Sequence, residues 1–323
     1  MRLDDPAPVL TPLRHGTTVL AGGRSIGWAE FGDADGDPVF WFPGTPGARQ
    51  QLPADAVDEA LAHRLRIIVV ERPGTGDSTA HHYESIADFV PDLEVIADQL
   101  DVDKFAAVGL SGGGPFTLAC AARLGDRMTT GVVLGGIGPT RGVDVIFSYT
   151  LALIPAAAIL EQVRRPLSHA ISSAVRTLGP FGKPFINAFF WLEWGDRHSM
   201  AKFPGHQQQM LADMVDAARR SGVGAAIDDL VLFGRDWGFE LSEIEIPITF
   251  WGGTSDPIVP YLHAERQAKR VDGARLRTVE GRGHFAGYTE VAEVFDAIRE
   301  HWPVVRPVHT ARQAPAARRR PGG

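Results

Sequence analysis

The sequence predicts an α/β protein: a mostly parallel sheet with helices on both faces, interrupted once by a helical insertion. Three observations carry that expectation. Short β-like runs alternate with helical patterns through most of the 323 residues. Arg66 to Val70 reads Arg-Ile-Ile-Val-Val, the apolar run of a strand covered on both sides. The alternation then stops between about Pro139 and Phe239, where helical apolar segments dominate and no clear strand pattern stands out.

The elements follow in order. Thr17 to Leu20 and Ser25 to Glu30 read as an antiparallel pair around the turn Ala21-Gly22-Gly23-Arg24. Val39 to Phe42 is a short strand that ends at Pro43-Gly44, and Arg66 to Val70 is the next. Ile86 to Leu100 is helical, with Ile86, Phe89, Val90, Leu93, Ile96, Ala97 and Leu100 at spacings of three and four. Phe105 to Leu110 is a strand, Pro115 to Leu124 a helix and Thr130 to Leu134 a strand. After the insertion come strands at Ile248 to Trp251 and Arg275 to Val279, then a closing helix from about Val291 to His301. These limits divide the chain into a core over 1–138 and 241–302, an insertion over 139–240 and a tail over 303–323. The insertion is expected to cap the site. The tail is rich in Pro, Arg and Ala, ends in Arg318-Arg319-Arg320-Pro321-Gly322-Gly323, and is expected to be disordered, with at most weak contact with anionic lipid.

Composition narrows the function classes. A net charge of −7 gives no broad cationic surface, so nucleic acid is not an expected partner. The single cysteine, Cys120, excludes a disulfide framework and a cysteine-based metal cluster, and fits a reducing, cytoplasmic setting. Met1 to Pro6 lacks a basic region followed by an apolar core, so no secretory signal is expected there. The greasiest stretch, Val143 to Val163, is broken by Asp144, Pro155, Glu161 and Gln162. It reads as a buried or lid helix, and no stable membrane insertion is expected.

The chemistry-bearing pattern is Gly109-Leu110-Ser111-Gly112-Gly113. A strand precedes it and a helix follows, with Pro115 suited to the first turn. That context puts a serine on a sharp strand-to-helix turn, with its oxygen above the sheet. The Gly112 N–H lies at a helix start, where unpaired donors collect. Ser111 is therefore the expected nucleophile. The loop Trp41-Phe42-Pro43-Gly44-Thr45-Pro46-Gly47 is the expected source of a second donor to an oxyanion. Pro46 has no N–H, so Thr45 is paired with Gly112. Asp256 follows the strand Ile248 to Trp251, and His284 follows Arg275 to Val279. Both lie outside strand carboxyl ends, in the order Ser, Asp, His. They are the expected acid and base. His81, His82, His198, His206 and His263 lack that strand-end position. Asp228, Asp229 and Asp236 precede the returning strand and are weaker rivals to Asp256. Cys120 is expected in the core.

Taken together, these segments and Glu71-Arg72-Pro73-Gly74-Thr75-Gly76-Asp77-Ser78 resemble the α/β-hydrolase superfamily, over roughly Val19 to Trp302. The resemblance implies an eight-stranded, mostly parallel sheet with a helical cap inserted after strand six. It carries over Ser111, Asp256 and His284 as the catalytic triad, and Thr45 and Gly112 as the oxyanion hole. Two positions depart from the pattern: Phe42 stands where the oxyanion motif usually begins with His, and Glu71 where Asp is usual. With Phe42 in place, the loop is expected to rest on packing. The resemblance implies a serine hydrolase with no metal or organic cofactor, acting on a small-molecule acyl substrate. An ester of small to medium apolar size is expected, given the apolar insertion (Val145 to Leu160 and Phe185 to Leu192). A proline-iminopeptidase-like aminopeptidase, with Glu193 holding a substrate amine, and a non-catalytic ligand-binding module on the same fold are the alternatives.

Overall fold

The computed structural model describes residues 10–163, 196, 204–217 and 224–302. Glu193, His198, the apolar run 185–192 and the tail 303–323 lie outside the described residues. Eight strands form one sheet in the order β1-β2-β4-β3-β5-β6-β7-β8. They are β1 (Arg14–Val19), β2 (Ser25–Gly32), β3 (Asp37–Phe42), β4 (Leu65–Val70), β5 (Phe105–Leu110), β6 (Met128–Leu134), β7 (Ile248–Gly253) and β8 (Arg275–Val279). β2 pairs antiparallel with β1 and with β4, and every later pairing is parallel. The described helices are α1 (Ala56–Ala62), α2 (Val90–Gln99), α3 (Gly114–Arg123), α4 (Pro204–Ala217), α5 (Gly224–Phe233), α6 (Leu262–Arg270) and α7 (Val291–Arg299), with a further helical segment over 153–163.

Strand alternation divides the core into two layers. Phe40, Ile68, Val70, Phe105 and Ala107 face one side, under α2, α3 and α6. Val39, Trp41, Ile67, Val69, Ala106 and Val108 face the other, under α1 and α7. Both layers are fully buried, which is why these strands read as unbroken apolar runs.

The expected elements are present with small shifts. β5 and β8 keep their expected limits. β1 begins earlier, at Arg14, because its exposed first residues carry no apolar pattern. The expected helix over 86–100 is a 3-10 turn, Ile86–Phe89, followed by α2, with Pro91 in its first turn. The connection between β6 and β7 contains no strand among its described residues, and α4 and α5 belong to it. No helix of the described residues is long and apolar enough to cross a membrane.

The topology gathers the strand ends that matter. β3 lies beside β5, with Phe42 opposite Gly109, so the loop after Phe42 meets the turn after Leu110. β4 lies on the other side of β3, which puts Glu71 and Arg72 next to that loop. β7 lies beside β8, with Gly253 opposite Val279, so the Asp256 and His284 loops leave the sheet side by side.

Candidate active site

Ser111 has φ +51°, a left-handed conformation that costs a residue with a Cβ about 1–2 kcal/mol. The crowding around it explains the glycines. A Cβ on Gly109 would lie 2.4 Å from Thr117 Oγ1 and 2.5 Å from the Gly113 carbonyl oxygen. A Cβ on Gly113 would lie 2.1 Å from the Phe42 carbonyl oxygen. Strand, turn and following helix therefore close on each other only without side chains at these positions.

His284 Nδ1 is 2.8 Å from Asp256 Oδ2, and both side chains are buried. Asp256 Oδ1 accepts from the backbone N–H groups of Ile258 and Val259, at 2.8 and 2.9 Å. A carboxylate only accepts, so Nδ1 carries a proton in this pair, and in the neutral ring the lone pair is left on Nε2. Gly135, after β6, makes room for the ring, since a Cβ there would meet His284 Nδ1 at 3.3 Å. His284 and Ser111 line one cavity of about 190 Å³, with Gln51, Met210, Met214 and Phe285. Ser111 also lines a second cavity, of about 390 Å³, with Gly112, Ile137, Leu153, Leu230 and Phe233. Thr45 borders both.

Thr45 and Gly112 are in contact: a Cβ on Gly112 would lie 2.4 Å from Thr45 Oγ1. The preceding N–H, that of Gly44, is already taken, donating to Gln51 Oε1 at 2.5 Å. Phe42 is buried and packs edge-on against Phe89. Packing alone does not hold the loop, however. Arg72, 3 % exposed, donates to the carbonyls of Pro43 and Gly44, at 2.5 and 2.6 Å, and to Asp229 Oδ2 at 2.8 Å.

The remaining acids and histidines have other partners. Asp229 accepts from Arg72 and from the Thr45 hydroxyl at 2.6 Å, and burial raises its carboxyl above the ordinary range. Asp228 pairs with His82 at 3.3 Å, and Asp236 accepts from the Gly238 N–H. His263 Nδ1 accepts from Gly138 N–H at 2.9 Å while Nε2 faces the hydroxyls of Ser148 and Thr150. Burial lowers its pKa to about 4, so it is a neutral structural group. His206 faces Asp55 at 3.1 Å. His81 stacks edge-on against Tyr83. Cys120 is buried in the core, and burial pushes its thiol up.

Three residues of the site have roles that the sequence does not reveal, although Arg72 lies in the segment Glu71 to Ser78 and Asp229 is a rival to Asp256 as the acid. Besides Arg72 and Asp229, Asp196 accepts the N–H groups of Gly283 and Phe285, at 3.1 and 2.5 Å, on either side of His284. Burial raises the Asp196 carboxyl, and those two N–H groups oppose the rise.

The Alpha/beta hydrolase family model matches residues 15–297, and the chain belongs to that family. The chain is similar to an uncharacterized protein of Mycobacterium tuberculosis, 22 % identical over 279 residues, 83 % of this chain and 76 % of the relative. It is 25 % identical over 281 residues to a non-heme chloroperoxidase of Streptomyces lividans, 83 % of this chain and 92 % of that protein. An esterase from Rhodococcus sp. ECU1013 superposes with a TM-score of 0.66 at 19 % identity, over 89 % of this chain and 99 % of that one, a likeness of fold.

Proposed function

We propose that the protein is a serine hydrolase that cleaves a carboxylic ester of an apolar, small to medium acyl substrate. One observation carries this reading. A serine strained at φ +51° shares a cavity with a histidine whose Nδ1 is held by a buried aspartate at 2.8 Å. Nε2 of His284 takes the Ser111 proton as Oγ attacks the carbonyl carbon, and Asp256 stabilises the imidazolium that results. The N–H groups of Thr45 and Gly112 receive the negative oxygen. His284 then gives its proton to the departing alkoxide. Water repeats the sequence on the acyl-enzyme and releases the acid. The β6–β7 connection caps this site.

The proton path sorts the two cavities. The leaving group must lie on the side of His284, so the cavity of about 190 Å³ takes the alcohol. The apolar cavity of about 390 Å³, which His284 does not line, takes the acyl chain. The lining of the larger cavity, with Ile137, Leu153, Leu230 and Phe233 beside Ser111, suits an apolar acyl chain. The esterase among the structural neighbours is consistent with an ester substrate.

The test is fluorophosphonate labelling, mapped by peptide sequencing to Ser111, followed by p-nitrophenyl esters of increasing acyl length. Butyrate is expected to turn over faster than acetate. Ser111→Ala is expected to lose label and to lower kcat by about 10⁶-fold. Label at another residue, or full turnover by the alanine variant, would sink the assignment.

A further inference from the structure

The proposed chemistry leans on one peptide unit, Gly44–Thr45, whose N–H must face the oxyanion. Gly44 has no Cβ to restrict that unit, so its orientation has to be set from outside. Arg72 sets it. Every guanidinium nitrogen is engaged: Nη1 with the Pro43 carbonyl at 2.5 Å, Nη2 with the Gly44 carbonyl at 2.6 Å and the Thr45 hydroxyl at 3.0 Å, and Nε with Asp229 at 2.8 Å. A trans peptide is planar, with its C=O and N–H pointing in opposite directions. Capture of the Gly44 carbonyl by Arg72 therefore sends the Thr45 N–H the other way. That N–H has no partner among the described residues, and Thr45 borders both cavities at Ser111.

The guanidinium is itself seated from the β6–β7 connection. Asp229, buried on α5, accepts from both Arg72 Nε and Thr45 Oγ1 through the same oxygen, Oδ2. A buried arginine without a counter-ion would carry a large desolvation penalty, so the seat and the clamp depend on each other. The fork geometry matters as well. A lysine is a point charge and cannot hold two successive carbonyls and a carboxylate in fixed directions.

We propose that Arg72, seated by Asp229, is the positioning residue that turns the Thr45 N–H toward the oxyanion, so that the hole is complete only while α5 is docked. This inference rests on the serine hydrolase reading above. It makes α5 part of the catalytic geometry although neither Arg72 nor Asp229 lines the two cavities at Ser111.

The experiment compares full-length wild type with Arg72→Lys, Arg72→Gln and Asp229→Asn. Active sites are counted by exhaustive fluorophosphonate labelling, and the near-ultraviolet circular dichroism of each variant is recorded. Removal of an oxyanion donor lowers kcat by about 10²–10³-fold, and that loss is expected in both Arg72 variants, with KM for p-nitrophenyl butyrate changed by less than about threefold. Asp229→Asn is expected to lose about tenfold in kcat. Affinity for phenylboronic acid, which binds serine as a tetrahedral anion, should fall in parallel with kcat/KM. A merely structural role would lower the melting temperature and the count of active sites but leave kcat per site and boronic acid affinity in place. That result overturns the inference. If the Arg72 variants do not fold, Thr45→Val decides, because it keeps the N–H and removes the hydroxyl that Arg72 and Asp229 share. Its kcat should fall about tenfold, and an unchanged kcat overturns the inference. An active wild type that labels at Ser111 but is indifferent to Arg72 refutes only this step. A wild type that does not label refutes the hydrolase reading itself.

Discussion

At the scale of single residues, Glu71 shows how a departure from the family pattern is absorbed. The longer side chain fits because Gly27 and Gly76 leave room: a Cβ on either would lie about 2 Å from a Glu71 oxygen. Its Oε2 accepts from Asp77 N–H at 2.7 Å and Ser78 Oγ at 3.1 Å. Among the described residues, Oε1 has Arg49 Nε at 3.5 Å and no hydrogen bond. Burial outweighs these partners and pushes the carboxyl from 4.5 up to about 7. The folded chain thus holds this proton to a higher pH than the unfolded chain does. The stability that comes from the raised value is complete below about pH 4.5 and is lost as pH rises to about 7, by about 3 kcal/mol at most. Glu71→Gln keeps the shape and removes the titration, while Arg49 retains Asp77 at 2.5 Å. Urea unfolding between pH 5 and pH 8 should show a shallower decline for the variant. Parallel declines would remove Glu71 as the source. The same scale shows which residues sequence can reveal. Ser111, Asp256 and His284 are legible because each follows a strand end closely. Arg72 and Asp229 are not, because their partnership joins positions 157 apart and no local spacing encodes it.

At the scale of elements, β5, the turn at Ser111 and α3 form one strained unit. The strain is held by packing on both faces of the sheet, and it keeps the Ser111 side chain at the cavities instead of in the helix. A glycine adopts φ +51° without the penalty. Ser111→Gly should therefore be more stable than Ser111→Ala by about 1 kcal/mol, although both lack the hydroxyl. Thermal unfolding of the two variants checks this, and equal midpoints would mean that the turn is not strained. Most of the sheet could be read in advance, since buried parallel strands announce themselves as short runs of Ile, Val and Phe. The beginnings of β1 and β3 could not. Arg14 to Gly16 and Asp37-Pro38 are polar or edge-like, and only pairing with β2 and β4 makes them strand. The split of 86–99 into a 3-10 turn and α2 was hidden for a related reason: the apolar spacing is continuous across it, and only Pro91 marks a new helical start.

At the scale of the molecule, the β6–β7 connection grips the site through three carboxylates rather than through apolar contact alone. Asp229 seats Arg72 under the loop 43–45. Asp213, on α4, accepts the N–H groups of Ala48 and Gln50, both at 2.7 Å, at the far end of the same loop. Asp196 accepts the N–H groups of Gly283 and Phe285 around the proposed base. Buried backbone donors must be satisfied, and here the acceptors come from another part of the chain, so loop shape and the seating of the connection are one equilibrium. Asp196 isolates the point most cleanly, because it lies outside the loop that Asp229 and Asp213 hold and accepts from the peptide on each side of His284. Asp196→Asn keeps the volume but turns one acceptor oxygen into an NH₂ group, so one of the two N–H groups loses its partner at a cost of about 1–3 kcal/mol. That loss should widen the range of His284 orientations, and kcat should fall about tenfold while KM stays near its wild-type value. Hydrogen exchange should speed up at Gly283 and Phe285 and stay unchanged at Ala48 and Gln50, whose acceptor is Asp213. Faster exchange at all four amides would mean that the connection loosens as a whole, and the separate anchoring of His284 would have to be given up.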